Sequence, residues 1–584
     1  MRNGAMYGIF QGKLFACAMA AVALTCPSYA GTVRADGFLK RGVRDDAEAI
    51  QKAIDSGAEK VVISRRDGPW IVARPLIGRS NLHLVFEKGV EVQAKRGEFK
   101  DRIDCLFRFD CCTNVTLSGY AAVLKMHRND YLRPPYRKSE WRHGLSFLSC
   151  RNVKVEGLTI TETGGDGIYI GVSRIKGTER ACVDVVIKDV TCERNNRQGI
   201  SVISAENLLI ENCGLHRTCG MSPEAGIDFE PNSADQRLVN CRMRNCRMYG
   251  NMGSGVEFWL TNLDGSSAPV SVLVEDCETE SNREEIRFRD APRTFGSRTS
   301  LPRGTIMLRN CTFRNMRKEY IYAAHETDRG ISLRIEKCSF IDDPNPARRA
   351  LSKVTECIDD APGMMKPVPT VMQTGWIDCA VYADRARTVK MRVKMTKAER
   401  VPMRNGKPVK GVSVARSLDV LDASGKKVAE VGLMPADQGG EADWSIDLPA
   451  AGIYTFGGFA NRGFYIKESD APVAVDVTKR GHTFHKVEAD LYAYVPKGTE
   501  RIVATAASGN RRHRMGLAVC DPSDGLQSKG TWIEGSERYI YRNPAEGWWR
   551  FELRKPHVGD FWNSGFDVIG AHGYLFPDKN RMWR

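Results

Sequence analysis

His143-Gly144-Leu145-Ser146-Phe147, Asp166-Gly167-Ile168-Tyr169-Ile170, Gln198-Gly199-Ile200-Ser201-Val202, Ala225-Gly226-Ile227-Asp228-Phe229 and Ser254-Gly255-Val256-Glu257-Phe258 are five versions of one pentapeptide. Their glycines lie 23, 32, 27 and 29 residues apart, and Glu284-Glu285-Ile286-Arg287-Phe288 is a sixth, degenerate copy. Repetition at this period marks a solenoid, whose repeats bury their apolar sides against one another. A second strand signal alternates with the first: Asn114-Val-Thr-Leu-Ser-Gly, Asn152-Val-Lys-Val-Glu-Gly, Asp184-Val-Val-Ile-Lys-Asp, Asn207-Leu-Leu-Ile-Glu-Asn and Ser271-Val-Leu-Val-Glu-Asp. Alternating apolar and polar residues give each strand one buried face. The strands are short, with no long helical stretch between them. The pattern therefore predicts a right-handed parallel β-helix and argues against a βαβ fold. An Asn or Asp recurring at one turn position predicts an internal ladder whose amides satisfy turn backbone groups.

Outward from the repeats, Asp45-Asp46-Ala-Glu-Ala-Ile50-Gln-Lys-Ala-Ile54 has helical apolar spacing with acids in its first turn. It predicts a helix that covers the open end of the solenoid. Short strands are expected at 60–64, 82–86 and 90–93. Cap and coils together span 31–350. Beyond an irregular, Pro-containing stretch, strand-like runs at 389–393, 417–421, 454–456, 488–495 and 549–553 alternate with Gly, Asp and Asn turns. They predict β-sandwich modules at 370–474 and 475–584, so the whole chain is expected to be all-β apart from the cap.

The 584 residues exceed one ordinary domain. Residues 1–30 read as an export signal: Arg2 and Lys13 precede the apolar run Leu14 to Leu24, and Ser28-Tyr29-Ala30 supplies a cleavage pattern. The run is short for a membrane anchor, and Thr25 before Cys26 is a poor lipoprotein box. The expectation is an exported, periplasmic or extracellular protein with no membrane span in the mature chain. The net charge is +15; residues 1–30 hold two positive charges and no negative ones, which leaves +13. That charge favours an acidic partner such as an anionic polysaccharide. No zinc-finger spacing, basic helix or aromatic RNA-binding signature is present, which excludes those nucleic-acid modules. Of 18 cysteines, Cys213, Cys277, Cys311 and Cys338 share one strand frame, and Val239-Asn-Cys241 is a shorter version of it. A cysteine once per coil predicts a buried column of small side chains, not zinc, with a disulfide left open at Cys111 or Cys112.

Residues 36–345 resemble the pectin-lyase-like superfamily of right-handed parallel β-helices. The resemblance rests on the cap sequence, on Ser80-Asn81-Leu-His-Leu and on the Asn-Val-x-Val-x-Gly strands. It implies the fold; superfamily members include glycoside hydrolases, polysaccharide lyases and sugar epimerases, and fold alone does not choose among them. Gly164-Gly-Asp-Gly167 is similar to one polygalacturonase motif. That family's Gly-His-Gly is absent, and Arg174-Ile175-Lys176 comes too early, so its catalytic residues do not transfer.

With the glycine strands in register, Ile168, Ile170, Ile200, Val202, Ile227, Phe229, Val256 and Phe258 share the inward parity. Ser146, Tyr169, Ser201, Asp228, Glu257 and Arg287 share the outward one. Two positions later come Glu230, Trp259 and Arg289 in successive coils. Coils about 4.8 Å apart and alternate residues about 6.7 Å apart gather Asp228, Glu230 and Glu257 into one cluster. A glycosidase needs a proton donor and a second carboxylate, and like charges this close raise at least one pKa. Asp228, Glu257, Glu230 and, if a turn projects it, Asp166 are the candidate acids. Tyr169 and Trp259 are candidate sugar platforms, and His143, Arg197, Gln198, Arg287 and Arg289 candidate contacts with a poly- or oligosaccharide. No metal or other cofactor is expected for a hydrolase. Three alternatives accompany this reading. Glu257 and Arg287 form only a surface ion-pair ladder; the protein is a lyase or epimerase using Arg, His or Tyr, with calcium possible for a lyase; or the helix is a non-catalytic carbohydrate-binding or adhesive one.

Overall fold

The computed structural model describes residues 31–40, 42, 45–289, 301–314, 321–323, 330–341, 354–397, 403–404, 407–408, 416–435, 437–477, 482–485, 488–508, 514–528, 533–534, 536–554 and 563–584. The expected export signal lies outside these residues. The helix Ala47–Asp55 buries Ala47, Ala49, Ile50, Ala53 and Ile54 in the solenoid core, as a cap should. Strands Lys60–Ile63, Leu82–Phe86 and Glu91–Ala94 follow it.

Each coil then contributes to three parallel ribbons, and the architecture is a right-handed parallel β-helix followed by antiparallel sheets. One ribbon is the run Cys182–Lys188, Ala205–Glu211, Leu238–Arg244, Val270–Glu275. A second is Thr191–Glu193, Gly214–His216, Arg247–Tyr249, Glu278–Glu280. The long strands Thr113–Lys125 and Arg151–Thr161 belong to both. The third is a separate nine-stranded sheet that holds every glycine pentapeptide. Its register is the expected one: Ile168, Ile200, Ile227, Val256 and Ile286 form one column, and Tyr169, Ser201, Asp228, Glu257 and Arg287 the next outward one. Inside, Phe229 and Phe258 stack with centroids 5.2 Å apart.

The recurring glycines answer to space. A Cβ on Gly199 would sit 2.5 Å from the carbonyl oxygen of Gly226. On Gly226 it would sit 2.7 Å from that of Gly255, and on Gly255 2.8 Å from that of Glu285.

Two expectations change. Asn114, Asn152, Asp184, Asn207 and Asn240 do recur at one corner, where each is left-handed (φ from 52° to 57°), a conformation Asn and Asp tolerate. Their amides are exposed and bond to one another along the outside, as in Asn152 Nδ2 to Asn114 Oδ1 at 2.8 Å and Asn240 Nδ2 to Asn207 Oδ1 at 2.8 Å. The internal ladder occupies the corner before the glycine strands. There, buried Asn251 donates to Asn282 Oδ1 and Leu215 O and accepts the Thr218 N–H. Cys213, Cys246, Cys277 and Cys311 are the buried cysteine column, but Cys241 pairs in register with Leu208 and Val272, inside a strand. The Asn240 in its Val-Asn-Cys frame belongs to the ladder of Asn207, whereas Cys213 and Cys246 follow Asn212 and Asn245 of a separate ladder, so the frame marks a different corner. All sixteen described cysteines are free, including Cys111 and Cys112.

C-terminal to the solenoid, the expected runs at 389–393, 417–421, 454–456 and 549–553 fall inside Arg387–Met395, Ser417–Leu421, Gly452–Ser469 and Gly547–Arg554, and the run 488–495 is the strand Ala489–Val495, one residue shorter. Three apolar clusters fill this region: one within residues 377–473, one from Val371 and residues 475–575, and a third that joins Ala380, Ile453 and Ala474 to Tyr574, Phe576, Met582 and Trp583. Strand Ser536–Arg542 lies against the solenoid corner: buried Glu537 pairs with Arg128 at 2.8 Å and Arg194 at 2.9 Å, and Arg538 donates to Ser281 O and Asn251 O.

Candidate active site

The outward column of the nine-stranded sheet is buried. Asp228 and Glu257 are each only 1% exposed, because side chains of the flanking columns close over them. Part of the cover comes from the position before the glycine, held by His143, Asp166, Gln198, Ala225, Ser254 and, ahead of Glu285, Glu284. Three of these, Gln198, Ser254 and Glu284, turn polar atoms onto the outward column. Gln198 Nε2 donates to Asp228 Oδ2 at 2.5 Å, while its Oε1 accepts from Ser201 Oγ and from Arg197, both at 2.7 Å. Ser254 Oγ donates to Glu257 at 3.3 Å, and Glu284 holds Arg287 at 2.6 Å. Both amide ends of Gln198 are thus used, and Asp228 Oδ1 is left buried without a hydrogen-bond partner.

Arg197 is the hub. Its guanidinium lies 2.8 Å from Glu230, 3.3 Å from Glu140 and 3.7 Å from Asp166. Its Coulomb field reaches Asp228 as well, and these carboxylates keep its pKa raised against the cost of burial. Asp166 is fully buried and sits 3.2 Å from His143 Nδ1, which also accepts the Asp166 backbone N–H at 3.1 Å. Five carboxylates (Glu140, Asp166, Asp228, Glu230, Glu257) thus crowd around Arg197 and Arg287. Burial, then repulsion from Glu230 and Glu257, pushes Asp228 well above the usual carboxylate range, with Arg197 opposing. Burial pushes Glu257 up to about 7; Arg287, 3.8 Å away, opposes this, and Glu230 and Glu284 add to it.

Asp166, Arg197, Gln198, Asp228, Glu230, Glu257 and Arg287 therefore form one contiguous polar patch, with His143 and Tyr169 joined through Asp166. The ion pair Glu257–Arg287 exists, but Arg287 is closer to Glu284. The two sugar platforms are only half available. Tyr169 is stacked on His143, with centroids 4.6 Å apart and planes at 12°, and Arg289 lies 4.8 Å over Trp259. Sequence reasoning missed Glu140, Ser254, Glu284 and the bridging of Gln198. Three of these stand at the residue before glycine, so extending the register by one column would have found them; Glu140 arrives from a preceding turn and carries no repeat signal. Among the described residues no group of three or more His, Cys, Asp or Glu could hold a metal ion, and no helix is long and apolar enough to cross a membrane.

Residues 136–285, which contain this patch, match the family described as the right-handed beta helix region. The chain is 28% identical over 164 residues to the uncharacterized protein YclG of Bacillus subtilis (strain 168), a match covering 26% of this chain and 27% of that protein. The matched part thus spans about a quarter of that curated relative. Among solved structures it is similar to a 1,3-alpha-1,4-beta-D-galactose-4-sulfate-3,6-anhydro-D-galactose-2-sulfate 4 galactohydrolase, with 14% identity, TM-score 0.40, and 55% of this chain and 92% of that one covered. It is also similar to the Family 28 exopolygalacturonase of Yersinia enterocolitica, with 12% identity, TM-score 0.35, and 53% and 78% covered.

Proposed function

We propose that the protein is an exported glycoside hydrolase that cleaves a complex, acidic polysaccharide at Asp228 and Glu257. The observation that carries this reading is the pairing of these two buried carboxyls on adjacent coils, with Glu257 raised to about 7 and Asp228 raised beside it. Glycoside hydrolysis needs one carboxyl that keeps its proton at neutral pH and a second that attacks or activates water. Crowded acids that share few cations hold such a proton. Gln198 fixes Oδ2 of Asp228, which leaves the orphaned, buried Oδ1 as the oxygen able to carry the proton. Glu230 and Asp166 shape the field through Arg197. The C-terminal sheets act as two β-sandwich modules, 370–474 and 475–584, docked on the solenoid.

The test is incubation of the full chain with neutral, uronic and sulfated glycans, reading both new reducing ends and the ultraviolet absorbance of unsaturated uronides. Reducing ends without unsaturation support hydrolysis, and unsaturated products would establish the lyase instead. Asp228→Asn and Glu257→Gln should each lower turnover by at least about a hundredfold. Near-normal rates in both would sink the assignment.

A further inference from the structure

About 10 Å up the column from Asp228, two strand spacings away, a second feature opens beside the acids. Trp141, His143, Ser146, Tyr169, Arg108 and Arg174 line a cavity of about 60 Å³. That is room on the order of four water-sized groups, enough for a charged substituent and too little for a whole sugar ring. Its charge is opposite to that of the neighbouring acid cluster. Arg174 lies 5.1 Å over the Trp141 ring and Arg102 5.8 Å from it. Arg108 is paired with Asp110 at 2.9 Å, whereas Arg174 is exposed and makes no ion pair among the described residues. Ile103, Leu148 and Val172 supply apolar wall. A free guanidinium held over an indole at the mouth of a small, partly apolar cavity suits a planar or tetrahedral oxyanion carried on a sugar. The same charge would repel a second cation and gain nothing from a neutral substituent.

We propose that this pocket binds the carboxylate or sulfate group of an acidic sugar, paired with Arg174 and flanked by Trp141, two coils before the Asp228–Glu257 pair. The pocket deepens the hydrolase reading, on which it rests only for its place in the same substrate groove. It requires the polymer to carry an anionic group a fixed distance from the bond at the acids, so charge density along the chain sets which bonds are cut.

Binding is read separately from turnover in the full chain carrying Asp228→Asn. Calorimetric titration uses three probes of equal length: an oligogalacturonate, a sulfated galactan oligosaccharide and a neutral cello-oligosaccharide. One acidic probe should bind more tightly than the neutral one, and which of the two does so distinguishes carboxylate from sulfate. Arg174→Gln should weaken that probe about tenfold or more and leave the neutral one unchanged. Arg174→Lys, which keeps the charge, should retain part of the affinity. Binding of no probe, equal binding of all three, or an Arg174→Gln variant that binds the acidic probe as tightly as its parent overturns the proposal. Arg174-dependent acidic binding in a protein that never releases reducing ends leaves the pocket standing and removes the hydrolase. Rapid hydrolysis of a neutral glycan does the reverse.

Discussion

Glu257 and Asp228 owe their chemistry to company as much as to burial. Each is nearly inaccessible, yet each touches a short polar residue from the column before glycine, Ser254 for one and Gln198 for the other. Arg287 and Arg197 reach the pair, while Glu230 and Glu284 repel it. An acid whose folded pKa is raised from 4.5 to about 7 destabilises the fold as pH rises through that window and is neutral in effect below it. For catalysis the sign is the same. If Glu257 donates the proton, kcat/KM falls as pH rises through about 7, and a pH–rate profile with its alkaline limb there checks this. Arg287→Gln removes the group that opposes protonation, so the limb should move upward. A limb that stays in place would exclude Glu257 as the titrating group. The acids themselves were legible in sequence because register placed them side by side. Their burial was not, since alternation says outward and only neighbouring coils say covered.

At the scale of the element, the glycine strand is a packing device before it is a site. Carbonyl oxygens of successive coils pass so close that a methyl group at Gly199 would meet the Gly226 oxygen at 2.5 Å. Backbone cannot yield as a side-chain tip does. Gly199→Ala should therefore cost about 1–3 kcal/mol of stability, the range for overpacking, and spread the strands that carry Ser201 and Asp228. Denaturant unfolding reads the first effect, and loss of turnover beyond the loss of folded protein reads the second. An unchanged midpoint would show that the coils can part freely. The Asn corners teach a related point. Their recurrence was plain in the sequence, and their left-handed backbone explains it, yet the direction of their amides depended on which corner faces water. Cys241 was misplaced for the same reason: a three-residue frame repeats at more than one corner of a coil.

For the whole molecule, the contact that matters is made by Glu537. Burial opposes its ionisation, but Arg194 and Arg128, with Tyr539 and Arg217, outweigh that and hold its pKa down to about 2. These arginines stand just before the turns that enter the site sheet; Arg194 is followed directly by the buried Asn195 and Asn196 and then by Arg197 and Gln198. The C-terminal strand Ser536–Arg542 thus braces the segment that positions the hub of the acid cluster. Glu537→Ala leaves Arg128, 1% exposed at its side chain, without its closest carboxylate, and should cost about 3–5 kcal/mol, seen as a lower thermal transition. A depressed folded pKa stabilises the protein above the unfolded value near 4.5, and that stabilisation is lost as pH falls toward 2. The difference between wild type and variant should shrink over that window. A constant difference would place the stabilisation elsewhere.

The sequence by itself determined the repeat, its register, the cap and the column on which the acids lie. Strand period and coil spacing are local and cumulative, so each residue's side of the ribbon follows from counting. Only the tertiary structure decided that the outward column is closed over, that one arginine gathers acids from several coils, that a cationic pocket stands beside them and that Glu537 reaches in from some 340 residues beyond Arg194. Those depend on contacts between segments far apart in the chain, where no period links one residue to another.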